Sequence, residues 1–221
     1  MESKLDSLTS LFRAAGIPSA REDAEILLNK FGSLTYLMQC DSFALKNHTD
    51  CSDKALHLIR LAAELTSRRI TDQFRAGKKY TEDDLRRYAV GLTLACSVEN
   101  VYCIFLDSAG RLISAEWLGD GVINSVGIAP RKMLECAYRA KAKQIVLVHN
   151  HPCGNPTPST DDFNATMAFK SVAESSDMKV IAHYVVSGFN VCDIMKSSTR
   201  RTLDDCEAEI MRVNLPIFDK E

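Results

Sequence analysis

His149 and His151 flank a single residue, and Asp162 follows across a turn-rich stretch, in the run HNHPCGNPTPSTDD. Two imidazoles and a carboxylate are the ligand types that hold one zinc ion while leaving a fourth position for water. Zinc lowers the pKa of such a water from about 15.7 to roughly 7, so the chemistry implied is hydrolysis at neutral pH with one Zn2+ per chain. A proton must also be relayed to the leaving group, a task for a nearby carboxylate. Glu99 and Glu116, each beside a strand-like run, are the choices the residues offer, and their pattern does not separate them.

The elements that must position these groups can be read from periodicity. Gln144 to Val148 (QIVLV) has the composition of a buried strand. Side chains alternate along a strand, so histidines two apart at its end point the same way and reach one ion. Pro152, Gly154, Pro156 and Pro158 constrain a turn that folds Asp162 back at reduced entropic cost. Ser159 suits the N-cap of the next helix with Asp162 at its N3 position, which places the carboxylate at the helix end, the metal, or both.

Upstream, apolar residues recur at helical intervals from Leu5 to about Leu65, giving a small all-helical region over residues 1–67. Ser19 with Glu22 reads as a capping box and Gly32 as a helix stop. Residues 68–93, rich in Arg and Lys, read as a linker merging into a helix. Residues 94–198 then run strand (Val101 to Leu106), tight turn (Asp107 to Gly110), strand (Arg111 to Trp117), helix from Pro130, the strand before the histidines, a helix from about Ser159 to Ser175, and a strand from Val180 to Val186. That order predicts a mixed sheet with helices packed on it. Residues 199–221 form a C-terminal tail whose role is not legible.

The chain has 221 residues, 46% hydrophobic and 25% charged, enough for a sizeable core. No stretch nears the roughly 18 apolar residues of a membrane span, and no signal peptide opens the chain, so the expected location is cytoplasmic, away from any membrane. Eight scattered cysteines without a CxxC pair read as reduced thiols. Cys153, between His151 and Ser159, reads as a small loop residue, with a metal or redox role as the alternative. The net charge of -2 gives nucleic acid no overall attraction.

With these residues in place a resemblance can be stated. His149, His151, Ser159 and Asp162 match H-x-H, seven residues, S-x-x-D, and so resemble the JAMM (JAB, MPN-plus) metalloprotease motif. The longer run HNHPCGNPTPSTDD is similar to that of the bacterial RadC family, HNHPSG-x-P-x-PS-x-x-D, and the similarity covers roughly residues 95 to 190. It implies an α/β (α+β) fold, a cytidine-deaminase-like mixed sheet flanked by helices, with zinc on His149, His151 and Asp162. It also implies that Glu99, opening ENVYCIFLD, is the catalytic base and that Ser159 stabilises the oxyanion. The reaction implied is hydrolysis of a peptide or isopeptide bond in a protein substrate, including the linkage of a ubiquitin-like modifier. The alternative is a RadC-type DNA-repair or nucleic-acid-associated protein. The helical region resembles a RadC amino-terminal domain with a helix-hairpin-helix, yet Lys46 to Cys51 (KNHTDC) has no glycine for the tight hairpin, which disfavours DNA. Cys153 stands where the family usually has serine. The sequence leaves the oligomeric state open.

Overall fold

Helical spacing of apolar residues gives α1 (Lys4–Ala14), α2 (Ala20–Phe31), α3 (Leu34–Gln39) and α4 (Asp53–Thr71) in a computed structural model that describes residues 3–41, 45–47, 49–121, 130–152, 154–197 and 210–214. These helices close a core around Phe12, Ala24, Leu27, Leu37, Ala55 and Ile59. Gly32 stops α2 at φ +75°, its N–H bonded to the Leu28 carbonyl. The capping box expected at Ser19 and Glu22 is absent. Ser19 sits at φ -86° and ψ 24° rather than in the extended conformation, so its hydroxyl makes no cap bond. The last turn of α4 occupies the first residues expected to be linker, and it places Ile70 against the sheet rather than in solvent.

The rest of the chain adds α5 (Glu82–Thr93), β1 (Asn100–Leu106), β2 (Leu112–Asp120), α6 (Pro130–Ala140), β3 (Gln144–Asn150), α7 (Thr160–Ser175), β4 (Lys179–Ser187), β5 (Asn190–Asp193), α8 (Ile194–Ser197) and β6 (Met211–Arg212). The strands form one six-stranded sheet in the order β2-β1-β3-β4-β5-β6. Among the described residues β3 and β4 pair in parallel, joined by α7, and the other neighbours are antiparallel. The result is a mixed α/β fold with helices on both faces of a mixed sheet. β5 and β6 were not foreseen, and β6 lies within the segment read as a tail. Cys153, His48 and most of the C-terminal tail lie outside the described residues.

Alternation along the strands divides the core. Val101, Cys103, Phe105, Ile145 and Leu147 face α6 and α7, where Met133, Ala137, Ala165 and Phe169 meet them. Ile104, Leu106, Val146, Val148 and Tyr184 face α5 and the end of α4. β3 lies between β1 and β4 and is covered on both faces, which explains its unbroken apolar run. Its last residues, His149 and Asn150, are therefore buried polar groups at the end of a rigid element.

Candidate metal centre

His149 is 1% exposed, Asp162 is 1% exposed, and the His151 side chain is 21% exposed, so the three converge in a site that opens on the His151 side. The two Nε2 atoms lie 3.1 Å apart. His149 Nε2 is 3.5 Å from Asp162 Oδ1, and His151 Nε2 is 3.8 Å from Asp162 Oδ2. A tetrahedral ion with bonds near 2.0–2.1 Å separates its ligand atoms by about 3.3 Å. The spacing is that of a ligand set.

Hydrogen bonding on the far side of each ring tests whether a metal fits. The Thr166 hydroxyl donates to the Asp162 carbonyl (2.5 Å), so its oxygen accepts from His183 Nδ1–H (2.6 Å). Neutral His183 then accepts at Nε2 from His149 Nδ1–H (2.8 Å). His149 Nε2 is left as a lone pair. His151 Nδ1–H donates to the Asn155 carbonyl (3.0 Å), so in the neutral ring its Nε2 is a lone pair too. Two lone pairs thus face each other beside Asp162 Oδ1, a buried oxygen with no hydrogen-bond partner. With both rings neutral that set repels itself, and a cation such as zinc would satisfy all three atoms.

Burial, above all, pushes the His149 pKa down to about 4 even though the Asp162 charge pulls the other way. Burial likewise holds His183 well below the usual histidine value. Both rings are kept neutral, the state a metal ligand and its positioning partner need.

Comparison with known proteins places the chain in a family. A family model described as "RadC-like JAB domain" matches residues 79–198, more than half of the chain. The chain belongs to the RadC-like JAB domain family. A UPF0758 protein of Janthinobacterium sp. is 31% identical over 83% of this chain and 84% of its own length. Others from Chromobacterium violaceum (30%; 82% of each chain) and Cupriavidus taiwanensis (29%; 85% of this chain, 82% of the relative) are similar.

In this RadC-like domain the middle residue of the histidine pair has its own task. Asn150 is fully buried; its Oδ1 accepts from Asn100 N–H (2.9 Å) and its Nδ2–H donates to the Val98 carbonyl (3.0 Å). Asn150 therefore clamps the chain on both sides of Glu99. Val101 pairs with His149 at the end of that ladder, and Glu99 lies two residues before Val101 in the chain. Glu116 pairs with Cys103, deeper along the sheet, and is held in an ion pair by Arg139.

Ser159 forms the expected capping box with Asp162 at the start of α7. Its N–H and hydroxyl donate to Asp162 Oδ2 (2.8 and 2.7 Å), which leaves Oδ1 for the metal side. Elsewhere in the RadC-like domain the basic cluster is partly neutralised: buried Arg86 pairs with Glu82 and Asp83, and Arg87 with Asp84. Among the described residues no helix is long and apolar enough to cross a membrane. Asn150, Thr166 and His183 escaped the reading of site residues. A polar residue inside an otherwise apolar strand, as His183 is in β4, is the signal that could have found the last of them.

Proposed function

We propose that the chain is a zinc-dependent metallopeptidase of the JAMM type, hydrolysing a peptide or isopeptide bond in a protein substrate such as a conjugate of a ubiquitin-like modifier. One observation carries this reading: His149 Nε2, His151 Nε2 and a carboxylate oxygen of Asp162, whose Oδ1 has no hydrogen-bond partner, converge within 4.8 Å of one another. Zinc held there would supply Lewis acidity, activating water and polarising a carbonyl. Glu99, its flanks fixed by Asn150, takes a proton from the attacking water and returns it to the leaving amine. Ser159 holds Asp162 while its hydroxyl faces Oδ2; acting as the oxyanion donor requires that hydroxyl to turn toward the substrate. The pairing of Arg86 and Arg87 with acids of their own helix favours a protein substrate over a nucleic acid.

Protein purified without chelators should contain about one zinc per chain. Asp162→Ala should lose it, and Glu99→Gln should keep it while losing cleavage of peptide and isopeptide substrates. A wild-type chain free of zinc under these conditions would sink the reading. Full activity in Glu99→Gln would remove Glu99 as the base.

A further inference from the structure

A groove of about 800 Å³ lies between α3 and the turn joining β4 to β5, outside the ligand set. Gly188 makes the close approach possible: it sits at φ +60°, and a Cβ there would come 2.4 Å from Thr35 Cγ2. At one end the groove is bounded by Gly154 and Ser187, linked by a hydrogen bond from the Ser187 hydroxyl to the Gly154 carbonyl (2.5 Å). Gly154 follows shortly after His151, whose N–H is bonded to the Val186 carbonyl, so the groove leads to the loop of the metal centre.

Two properties of the lining identify an occupant. Among the described residues its charged lining is Lys4 and Arg212, with no carboxylate. Arg212 is set in place by the pairing of β6 with β5. The second property is Gln39, which lines the groove, is 2% exposed, and has an Nε2 with no hydrogen-bond partner. A buried amide donor without an acceptor is costly in a folded chain and is tolerated where a ligand brings the acceptor.

We infer that this groove binds an acidic, extended segment of the protein substrate and feeds it toward the metal centre, an assignment that rests on the peptidase reading. A peptide supplies backbone carbonyls for Gln39, carboxylates for Lys4 and Arg212, and apolar side chains for Leu34, Met38 and Phe189. A nucleic-acid strand suits the groove less well, because two cations among apolar side chains do not make a phosphate track.

The test reads binding rather than turnover, so a chain without peptidase activity can still pass it and an active one can fail it. A random dodecapeptide display library is selected on the wild-type protein, and an enriched peptide is synthesised and titrated. Enriched peptides should carry Asp or Glu. Their affinity should fall at least tenfold in Arg212→Glu and Lys4→Glu, both at exposed positions, and in Gln39→Leu. Gln39→Leu should keep or raise Tm, because it removes an unpaired buried amide; a residue needed only for folding would lower it. If Gln39→Leu does not fold, the two charge reversals decide. Enrichment without acidic residues, no enrichment, or equal binding to the variants would overturn the inference. So would a single-stranded oligothymidylate that binds the groove where no acidic peptide does.

Discussion

His183 and Thr166 tie two candidate metal ligands into one chain of hydrogen bonds, from Asp162 O through Thr166 and His183 to His149. Partners of this kind fix the tautomer of a ligand, and losing one typically costs 10- to 100-fold in metal affinity. Thr166→Val keeps the shape but removes the hydroxyl, so zinc affinity measured against a competing chelator should drop about tenfold with the fold intact. Unchanged affinity would mean that this chain of hydrogen bonds serves packing alone. Acid should act on the same groups. The folded pKa of His149, about 4, lies below the ordinary 6.5, so the unfolded chain takes up its proton first. The stability tied to its neutral ring is present above pH 6.5 and is lost as pH falls toward 4, with His183 adding in the same direction. Tm of the metal-free protein should therefore fall across that window, and a flat profile would contradict the burial argument. The clustering of His149, His151 and Asp162 was legible because H-x-H and S-x-x-D are local patterns. His183 was not, because what makes it useful is strand pairing with a distant segment, Leu147 opposite His183. Asn150 reads as a spacer until its side chain is seen to reach across to β1.

At the scale of elements, the start of α7 joins helix stability to ligand geometry. Ser159 is extended at φ -79° and ψ 166°, so its hydroxyl accepts from Asp162 N–H while donating to Asp162 Oδ2. Ser159→Ala should cost about 1 kcal/mol in chemical denaturation. It should also weaken zinc binding, because Asp162 keeps only the Ser159 N–H. A stability loss with no change in metal affinity would separate the two roles. The same spacing of a serine and an acid at Ser19 and Glu22 gave no box, since spacing does not set the backbone angles of the cap and Ser19 lies in a turn after Pro18. Strands β1 to β4 and helix α7 were legible from their apolar patterns. β5 and β6 were not, because four and two residues are too short to show alternation, and their identity comes from the edge they pair with.

For the whole molecule, the question is whether the family domain stands alone. The family match begins at residue 79, yet the sheet's second face is sealed in part from before that point. Ile70 is 3% exposed among Leu85, Ala89 and Val90, and Phe74 stacks on Tyr88 at 4.5 Å between ring centroids. The Ser67 hydroxyl donates to the Gly91 carbonyl (2.6 Å), where α4 and α5 come so close that a Cβ on Gly91 would sit 2.6 Å from Ile70 Cγ2. Arg60 joins the Met38 carbonyl to the Ala95 carbonyl, at 3.0 and 2.7 Å, and so links α3 to the segment leading into β1. A chain starting at Lys79 loses all of these, and the burial of Ile70 alone is worth about 1.5–3 kcal/mol. Such a chain should melt well below the full-length protein or fail to stay soluble, while one starting at Ser52, which retains α4, should recover much of the difference. The full chain should unfold in a single transition, because α4 belongs to both cores. A chain from Lys79 with the full-length Tm would show instead that the sheet needs no cover from α4, and that the helical region is an appendage.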